Sequence, residues 1–225
     1  MKKLAIALIA LALFACGVLV GWYQTFPFRF ISDTATWATG NKGFDYYSDR
    51  KTLIETSERT AAVVMLGDSI TAQCDWPLLL PGVDVINHGI NSDKTAGIKA
   101  RTELTMRAMP KLVFLMIGVN DIFHATSPAD VYVDYQAILA AITPSAKVVA
   151  QSILPTSDEV WNAKIANTNK HIADSCAAFP GCEFVDLTAT ILPKRHTTDG
   201  LHLSTLGCQS WANRIAPIIA RVLTH

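Results

Sequence analysis

The segment "AAVVMLGDSIT", residues 61–71, joins an apolar run to a Gly-Asp-Ser turn and indicates the class of fold. The run at 61–66 predicts a strand buried on both faces, as strands of a parallel sheet are. A polar turn directly after such a strand lies at the carboxyl edge of the sheet, where open α/β sheets bind their ligands. Ser69 is therefore either a turn residue or a candidate nucleophile.

The same alternation continues along the chain. Apolar, β-branched runs predict four more strands, at 83–87, 112–117, 146–154 and 182–187. Helical patterns separate or follow them at 94–108, 128–142, 158–178 and 204–223. Five strands alternating with helices predict a three-layer α/β/α sandwich around a five-stranded parallel sheet.

Composition limits the class of protein. The chain has 225 residues, with 19 basic and 19 acidic side chains, so its formal net charge is zero. This length suits one domain with a sizeable core. The charge balance argues against nucleic acid as a partner. Because the cysteines form no CxxC pairs, a zinc site is not expected, and no metal or cofactor is predicted.

The N-terminal segment "MKKLAIALIALALFACGVLVGWY", residues 1–23, has two lysines followed by an apolar run. At 1.5 Å per residue the run would span roughly 30 Å, the thickness of a hydrocarbon core. The alternatives are an uncleaved signal anchor, a lipoprotein modified at Cys16, and a cleaved signal peptide. The anchor is favoured because the apolar run continues past Cys16. Each alternative places the following domain outside the inner membrane, facing the periplasm or the exterior.

The predicted organisation has three parts. Residues 1–23 are the anchor or signal peptide, 24–60 a juxtamembrane connector with a short leading helix, and 61–225 the main domain. An even number of cysteines beyond Cys16 suits an exported domain with disulfides. Free buried thiols are the alternative. The predicted pairs are Cys176–Cys182, which flank the turn-rich "AAFPG", and the remaining Cys74–Cys208.

Polar residues follow several predicted strands, and their types suit nucleophilic catalysis. A serine nucleophile needs a base, and the base needs an acid that orients it. Ser69 can be the nucleophile, and Asp199 and His202, three residues apart on one face of a helical turn, can be acid and base. The Ser69 backbone N–H and the Asn120 amide are candidate donors to an oxyanion.

Four blocks, "GDSIT", "NHGINSDKT", "GVND" and "DGLH", resemble the SGNH (GDSL) hydrolase family, and the resemblance covers roughly residues 44–223. It implies a flavodoxin-like sheet in the order 2-1-3-4-5 and hydrolysis of esters or thioesters without metal or cofactor. It also implies that Ser69 is the nucleophile, that Asn120 is an oxyanion donor, and that Asp199 and His202 complete a triad.

One position departs from the family pattern. The second block is roughly N-x-G-x-x-G in the family, whereas this chain has Asn87, Gly89 and then Ser92. The resemblance assigns the Ser92 N–H to the oxyanion hole, and an alternative register would use Gly89 instead. If the backbone there has positive φ, serine costs about 1 kcal/mol of strain.

The predicted function is a membrane-tethered serine esterase acting on a small acyl ester: a lysophospholipid, a short-chain ester or an acylated sugar. The alternatives are an O-acyltransferase acting on envelope glycan or lipid, and a non-catalytic envelope protein that binds glycan or a partner. Asp68 and Asp121 are expected to cap backbone donors. His88 and Ile90, which flank the proposed oxyanion hole, are expected to line the substrate pocket. The second-block loop and residues 121–130 are expected to shape the acyl pocket.

Overall fold

The computed structural model describes residues 45–224. The predicted anchor or signal segment 1–23, with Cys16, and the connector residues 24–44 lie outside the described residues. The strands are β1 (Val63–Gly67), β2 (Val85–Gly89), β3 (Leu112–Met116), β4 (Lys147–Gln151) and β5 (Cys182–Val185). The helices before β3 are α1 (Tyr46–Thr56), α2 (Ser69–Ala72), α3 (Trp76–Leu79), α4 (Thr95–Ala100) and α5 (Thr102–Met106). Those after β3 are α6 (Val119–Phe123), α7 (Pro128–Ile142), α8 (Glu159–Ala177), α9 (Pro193–His196) and α10 (Thr205–Leu223).

The sheet has five parallel strands in the order β2-β1-β3-β4-β5, which confirms the predicted α/β class and strand order. Every residue of β1 and β3 is buried, because helices cover both faces of the sheet. Register aligns Gly67 at the end of β1 with Gly89 of β2 and Met116 of β3. The loops after these strands therefore emerge side by side at one edge.

The long helices agree with the sequence patterns except at one place. Ser127 caps α7 by accepting a hydrogen bond from the Asp130 N–H, and Pro128 occupies the first turn, as predicted. The single helix expected over 94–108 is wrong, because Arg101 leaves helical geometry at φ −116° and ψ 15° and divides the segment into α4 and α5. The Arg101 side chain is buried at this break.

Both predicted disulfides are present, Cys74–Cys208 and Cys176–Cys182. Trp76 and Trp211, which lie two and three residues after Cys74 and Cys208, are fully buried. Their rings pack edge to face, with centroids 4.7 Å apart. The chain from Tyr46 onward forms one compact unit, which includes α1. Within residues 45–224, none of the helices has both the length and the apolar character that crossing a bilayer requires.

Candidate active site

Ser69 lies in a tight turn between β1 and α2. The Asp68 carboxylate caps α2 by accepting a hydrogen bond from the Ile70 N–H at 3.0 Å, the capping role predicted for it. A Cβ on Gly67 would lie 2.2 Å from Thr71 Oγ1 and 2.4 Å from the Met116 carbonyl oxygen, so only glycine fits there. This turn places Ser69, which is 7% exposed, at the carboxyl edge of the sheet.

Ser69, His202 and Asp199 form one continuous hydrogen-bonded chain. Ser69 Oγ lies 3.0 Å from His202 Nε2, and His202 Nδ1 lies 2.7 Å from Asp199 Oδ2. The two contacts use opposite nitrogens of the imidazole ring. An imidazole held in this way can accept the serine proton on Nε2 while the carboxylate holds its Nδ1–H.

The Asp199–His202 contact is as expected, but the predicted helical turn is wrong. The segment is a loop closed by an antiparallel bridge between Thr197 and Leu203, and Gly200 turns the chain at φ +89°. Asp199 Oδ1 also accepts the His202 N–H at 2.7 Å, which fixes the carboxylate against the loop backbone. Hydrogen bonding from the His202 side chain, with help from the backbone, lowers the pKa of Asp199 to about 2. The carboxylate is therefore charged at neutral pH.

Asn120 lies in the first turn of α6, directly after β3. Its side-chain amide donates one hydrogen bond to the Asp93 carbonyl oxygen at 2.9 Å. An amide nitrogen carries two hydrogens, so the second remains to be donated. The neighbouring Asp121 accepts from both the backbone N–H and the hydroxyl of Thr95, at 3.0 and 2.8 Å, so it caps α4 as a structural residue.

Ser92 has φ +63°, so its backbone is left-handed, the case in which a serine at this position is expected to be strained. The Gly89 N–H is engaged, since it donates to Asn87 Oδ1 at 2.8 Å, so the alternative register has no free donor at that position. Over residues 45–224, neither the Ser69 N–H nor the Ser92 N–H has a protein acceptor. Both N–H groups are available to a ligand.

The other histidines of the site region have structural surroundings. His88 is buried, with Thr105 Oγ1 at 3.5 Å as its partner, and burial lowers its pKa to about 3. His196 is buried and its Nδ1 accepts the Leu192 N–H at 3.0 Å. Ile90 is fully buried as well, so neither side chain is accessible in this structure, in contrast to the expectation that the two line the substrate pocket. Across the described residues there is no cluster of three or more metal-ligating side chains.

A cavity of about 520 Å³ lies beside α6 and the start of α7. It is mostly apolar, and residues from 122–131 form one wall while residues from 163–168 of α8 form the other. Ile122 and Val131 are among its apolar residues, and Lys164 supplies a charge. None of the Ser69, His202 and Asp199 side chains lines it.

Sequence reasoning missed a buried ion pair next to the site. Asp93 and Arg101 pair at 2.9 Å with both side chains only 1% exposed. Arg101 lies within the helix predicted over 94–108, and Asp93 directly precedes that helix. The sequence carries one weak signal, that Asp93 directly follows Ser92 of the second block, and no local pattern that connects it to Arg101.

The model of the GDSL-like lipase/acylhydrolase family matches residues 65–209. A comparison with curated protein sequences found no match.

Solved structures share the fold at low sequence identity. A Streptococcus pneumonia protein provisionally described as a platelet activating factor has a TM-score of 0.68 at 21% identity, covering 85% of this chain and 98% of its own. A GDSL-like lipase from Bacteroides thetaiotaomicron has a TM-score of 0.65 at 20% identity, covering 78% and 96%. A carbohydrate esterase of family 3 from Talaromyces cellulolyticus has a TM-score of 0.62 at 22% identity, covering 72% and 97%.

Proposed function

We propose that this chain, which belongs to the GDSL-like lipase/acylhydrolase family, is a serine esterase that hydrolyses carboxylic esters through an acyl-enzyme. The observation that carries the proposal is the hydrogen-bonded chain from Ser69 through His202 to Asp199, with contacts of 3.0 and 2.7 Å. A binding protein would not need a nucleophile, a base and an orienting acid in this order.

In the proposed first half-reaction, Ser69 Oγ attacks the acyl carbonyl carbon while His202 Nε2 takes its proton. Asp199 holds the Nδ1–H and stabilises the imidazolium that forms. The carbonyl oxygen becomes an oxyanion and accepts hydrogen bonds from the Ser69 and Ser92 N–H groups and the second Asn120 N–H. His202 then gives its proton to the leaving alcohol, and the acyl group remains on Ser69.

In the second half-reaction a water molecule replaces the alcohol. His202 takes a proton from the water, whose oxygen attacks the acyl carbon, and the same three donors stabilise the second oxyanion. Collapse of this intermediate returns the proton to Ser69 Oγ and releases the carboxylic acid. The balance needs only ester and water, so no cofactor enters the scheme.

The test is the release of p-nitrophenol from acetyl, butyryl, octanoyl and palmitoyl esters by the purified protein. Ser69→Ala is expected to abolish turnover, and Asn120→Ala to lower kcat by about 100–1,000-fold, the usual cost of one oxyanion donor. Ser210→Ala is the matched control, since this serine lies on α10 and donates to the Leu206 carbonyl oxygen. Equal turnover by wild type and Ser69→Ala would contradict the proposal.

The same assay defines the substrate class. The proposed substrate is a small acyl ester, either a lysophospholipid, a short-chain ester or an acylated sugar. The dependence of kcat/KM on acyl chain length separates the long-chain lysophospholipid from the other two, and comparing an acetylated sugar with p-nitrophenyl acetate separates those. Adding an acceptor sugar tests for transfer. A tenfold preference for the sugar over water would assign the protein to acyl transfer instead of hydrolysis.

We also propose that the domain acts outside the inner membrane, held there by residues 1–23. Support comes from two disulfides, which are typical of exported proteins, and from Lys2 and Lys3 ahead of the apolar run. Protease treatment of spheroplasts should degrade the domain if it faces the periplasm. Protection of the domain until the cells are lysed would contradict the proposal.

A further inference from the structure

We propose that Asp93 and Arg101 are positioning residues that hold the oxyanion donors in register with the nucleophile. This inference rests on the proposed function, because it concerns the donors Ser92 and Asn120 that the mechanism uses. Neither Asp93 nor Arg101 contacts the reacting atoms in the mechanism above. Their effect is on where the donors lie.

Asp93 touches both donors through its backbone. It directly follows Ser92, and its carbonyl oxygen accepts the hydrogen bond from the Asn120 amide at 2.9 Å. Asp93 also donates its own N–H to the Ile90 carbonyl oxygen at 3.2 Å, which closes the loop after β2. A displacement of Asp93 therefore moves the Ser92 N–H and rotates the Asn120 amide together.

Arg101 connects Asp93 to the end of β1, the strand that leads into the nucleophile turn. Its Nε donates to Asp93 Oδ2 at 2.9 Å, and its Nη2 donates to the Gly67 carbonyl oxygen at 3.2 Å. Gly67 is two residues before Ser69, and its carbonyl oxygen also accepts the Ile90 N–H at 3.1 Å. One guanidinium group thus joins the end of β1 to the loop after β2.

Helix α1 contributes to the same network, although it precedes the residues that match the family model. Tyr47 Oη donates to Asp93 Oδ1 at 3.3 Å. Arg50 Nη2 donates to the Asn87 carbonyl oxygen at 2.7 Å, and its Nε to that of Gly89 at 3.3 Å. The loop that carries Ser92 is therefore held from α1 as well as from Arg101.

The burial of the pair favours a positioning role over a role in stability alone. Removing two charges from water is costly, and a buried ion pair often adds no net stability compared with apolar residues of similar size. Asp93 and Arg101 are each 1% exposed in their side chains. The guanidinium fork, however, fixes direction as well as distance, which an apolar contact does not.

The expected effect follows from the sensitivity of catalysis to geometry, since a displacement of about 1 Å can reduce turnover about 100-fold. Arg101→Lys keeps the charge but replaces the fork by a single ammonium, which cannot make the same contacts to Asp93 and Gly67. We expect kcat to fall by about 10–100-fold in this variant, with KM within about threefold of wild type, because the donors act mainly on the transition state.

The decisive experiment is a double-mutant cycle on kcat with Arg101→Lys and Asn120→Ala. If Arg101 acts through the donors, the loss in the double variant falls short of the product of the single losses by about tenfold or more. Losses that multiply, or an Arg101→Lys variant with unchanged kcat, would overturn the proposal. Arg221→Lys is the matched control, because Arg221 of α10 pairs with Glu183 of β5 in an exposed salt bridge.

Two further measurements keep the result interpretable. If Arg101→Lys fails to fold, Asp93→Asn replaces it, since this variant retains the backbone carbonyl that Asn120 uses. An activity-independent signal comes from the side-chain amide resonances of Asn120 in ¹⁵N-labelled protein, which should shift in either variant and not in Arg221→Lys. If wild type hydrolyses no ester, the proposed function fails separately, and unshifted Asn120 resonances would then overturn the positioning role.

Discussion

Replacing Ser92 by glycine tests the most unusual backbone position of the site. Ser92 has φ +63°, where a residue with a Cβ is strained by roughly 1–2 kcal/mol. Glycine removes the strain but gives the unfolded chain more conformational freedom, which costs roughly 0.5–1 kcal/mol. The net expectation is a gain of between about 0 and 1.5 kcal/mol in the free energy of unfolding. The N–H donor is retained, so kcat should change by less than about threefold.

Urea unfolding with both disulfides intact measures the stability, and p-nitrophenyl acetate hydrolysis measures kcat. Met109→Gly is the matched control, because Met109 also has positive φ, at +51°. Met109 precedes β3 and so lies at the amino ends of the strands, away from the site at their carboxyl ends. Both variants should gain similar stability. A Ser92→Gly variant that loses more than about 0.5 kcal/mol, or more than about tenfold in kcat, would refute the reasoning, since the serine side chain would then contribute directly.

Three further predictions concern pH, the disulfides and the leading helix. Burial raises the pKa of Asp68 from 3.8 to about 7, so the folded protein binds this proton more tightly and the free energy of unfolding falls as the pH rises through this range. In urea titrations the free energy of unfolding of the wild type should fall by about 2 kcal/mol between pH 5 and 7, and Asp68→Asn should not show this fall. The same pH slope in the variant would contradict this. Loop-closure entropy predicts that opening Cys74–Cys208, with a separation of 134 residues, costs about 5 kcal/mol, whereas opening Cys176–Cys182, with a separation of 6, costs about 2 kcal/mol. Paired Cys→Ser variants should therefore differ clearly in Tm, and the reverse order would contradict the prediction. A fragment that begins at residue 61 should show a lower Tm and kcat than one that begins at residue 45, because it lacks the contacts of α1 to the loop after β2; equal values would contradict the role of α1.

Much of the fold is predictable because its signals are local. Each strand is a short apolar run, and the polar blocks follow directly after the runs, so the parallel sheet and its carboxyl edge follow from the sequence. The disulfide pairing followed from one short loop and the exclusion of other partners. The contact of Asp199 with His202 depended on a spacing of three residues, which also suits the loop that actually forms.

The features that sequence reasoning missed depend on tertiary contacts. A charged residue in a helical pattern is normally assigned to a surface, yet Arg101 is buried because Asp93 and the Gly67 carbonyl oxygen receive its donors. These partners come from two other segments, which no local pattern connects. The break between α4 and α5 occurs at the same residue and was missed for the same reason.

The two halves of the site are held by different kinds of contact. Asp199 is half exposed, with 53% of its side chain accessible, and is fixed by the N–H groups of its own loop. Its attraction for the imidazolium is therefore screened by water, so orientation of His202 is its main contribution. The oxyanion side, by contrast, is fixed by buried charges and by contacts from β1, α1 and α6, where each displacement is shared by Ser92 and Asn120. Changes distant in sequence should consequently affect the oxyanion donors more than the histidine, because a local loop can adjust alone and a shared buried network cannot.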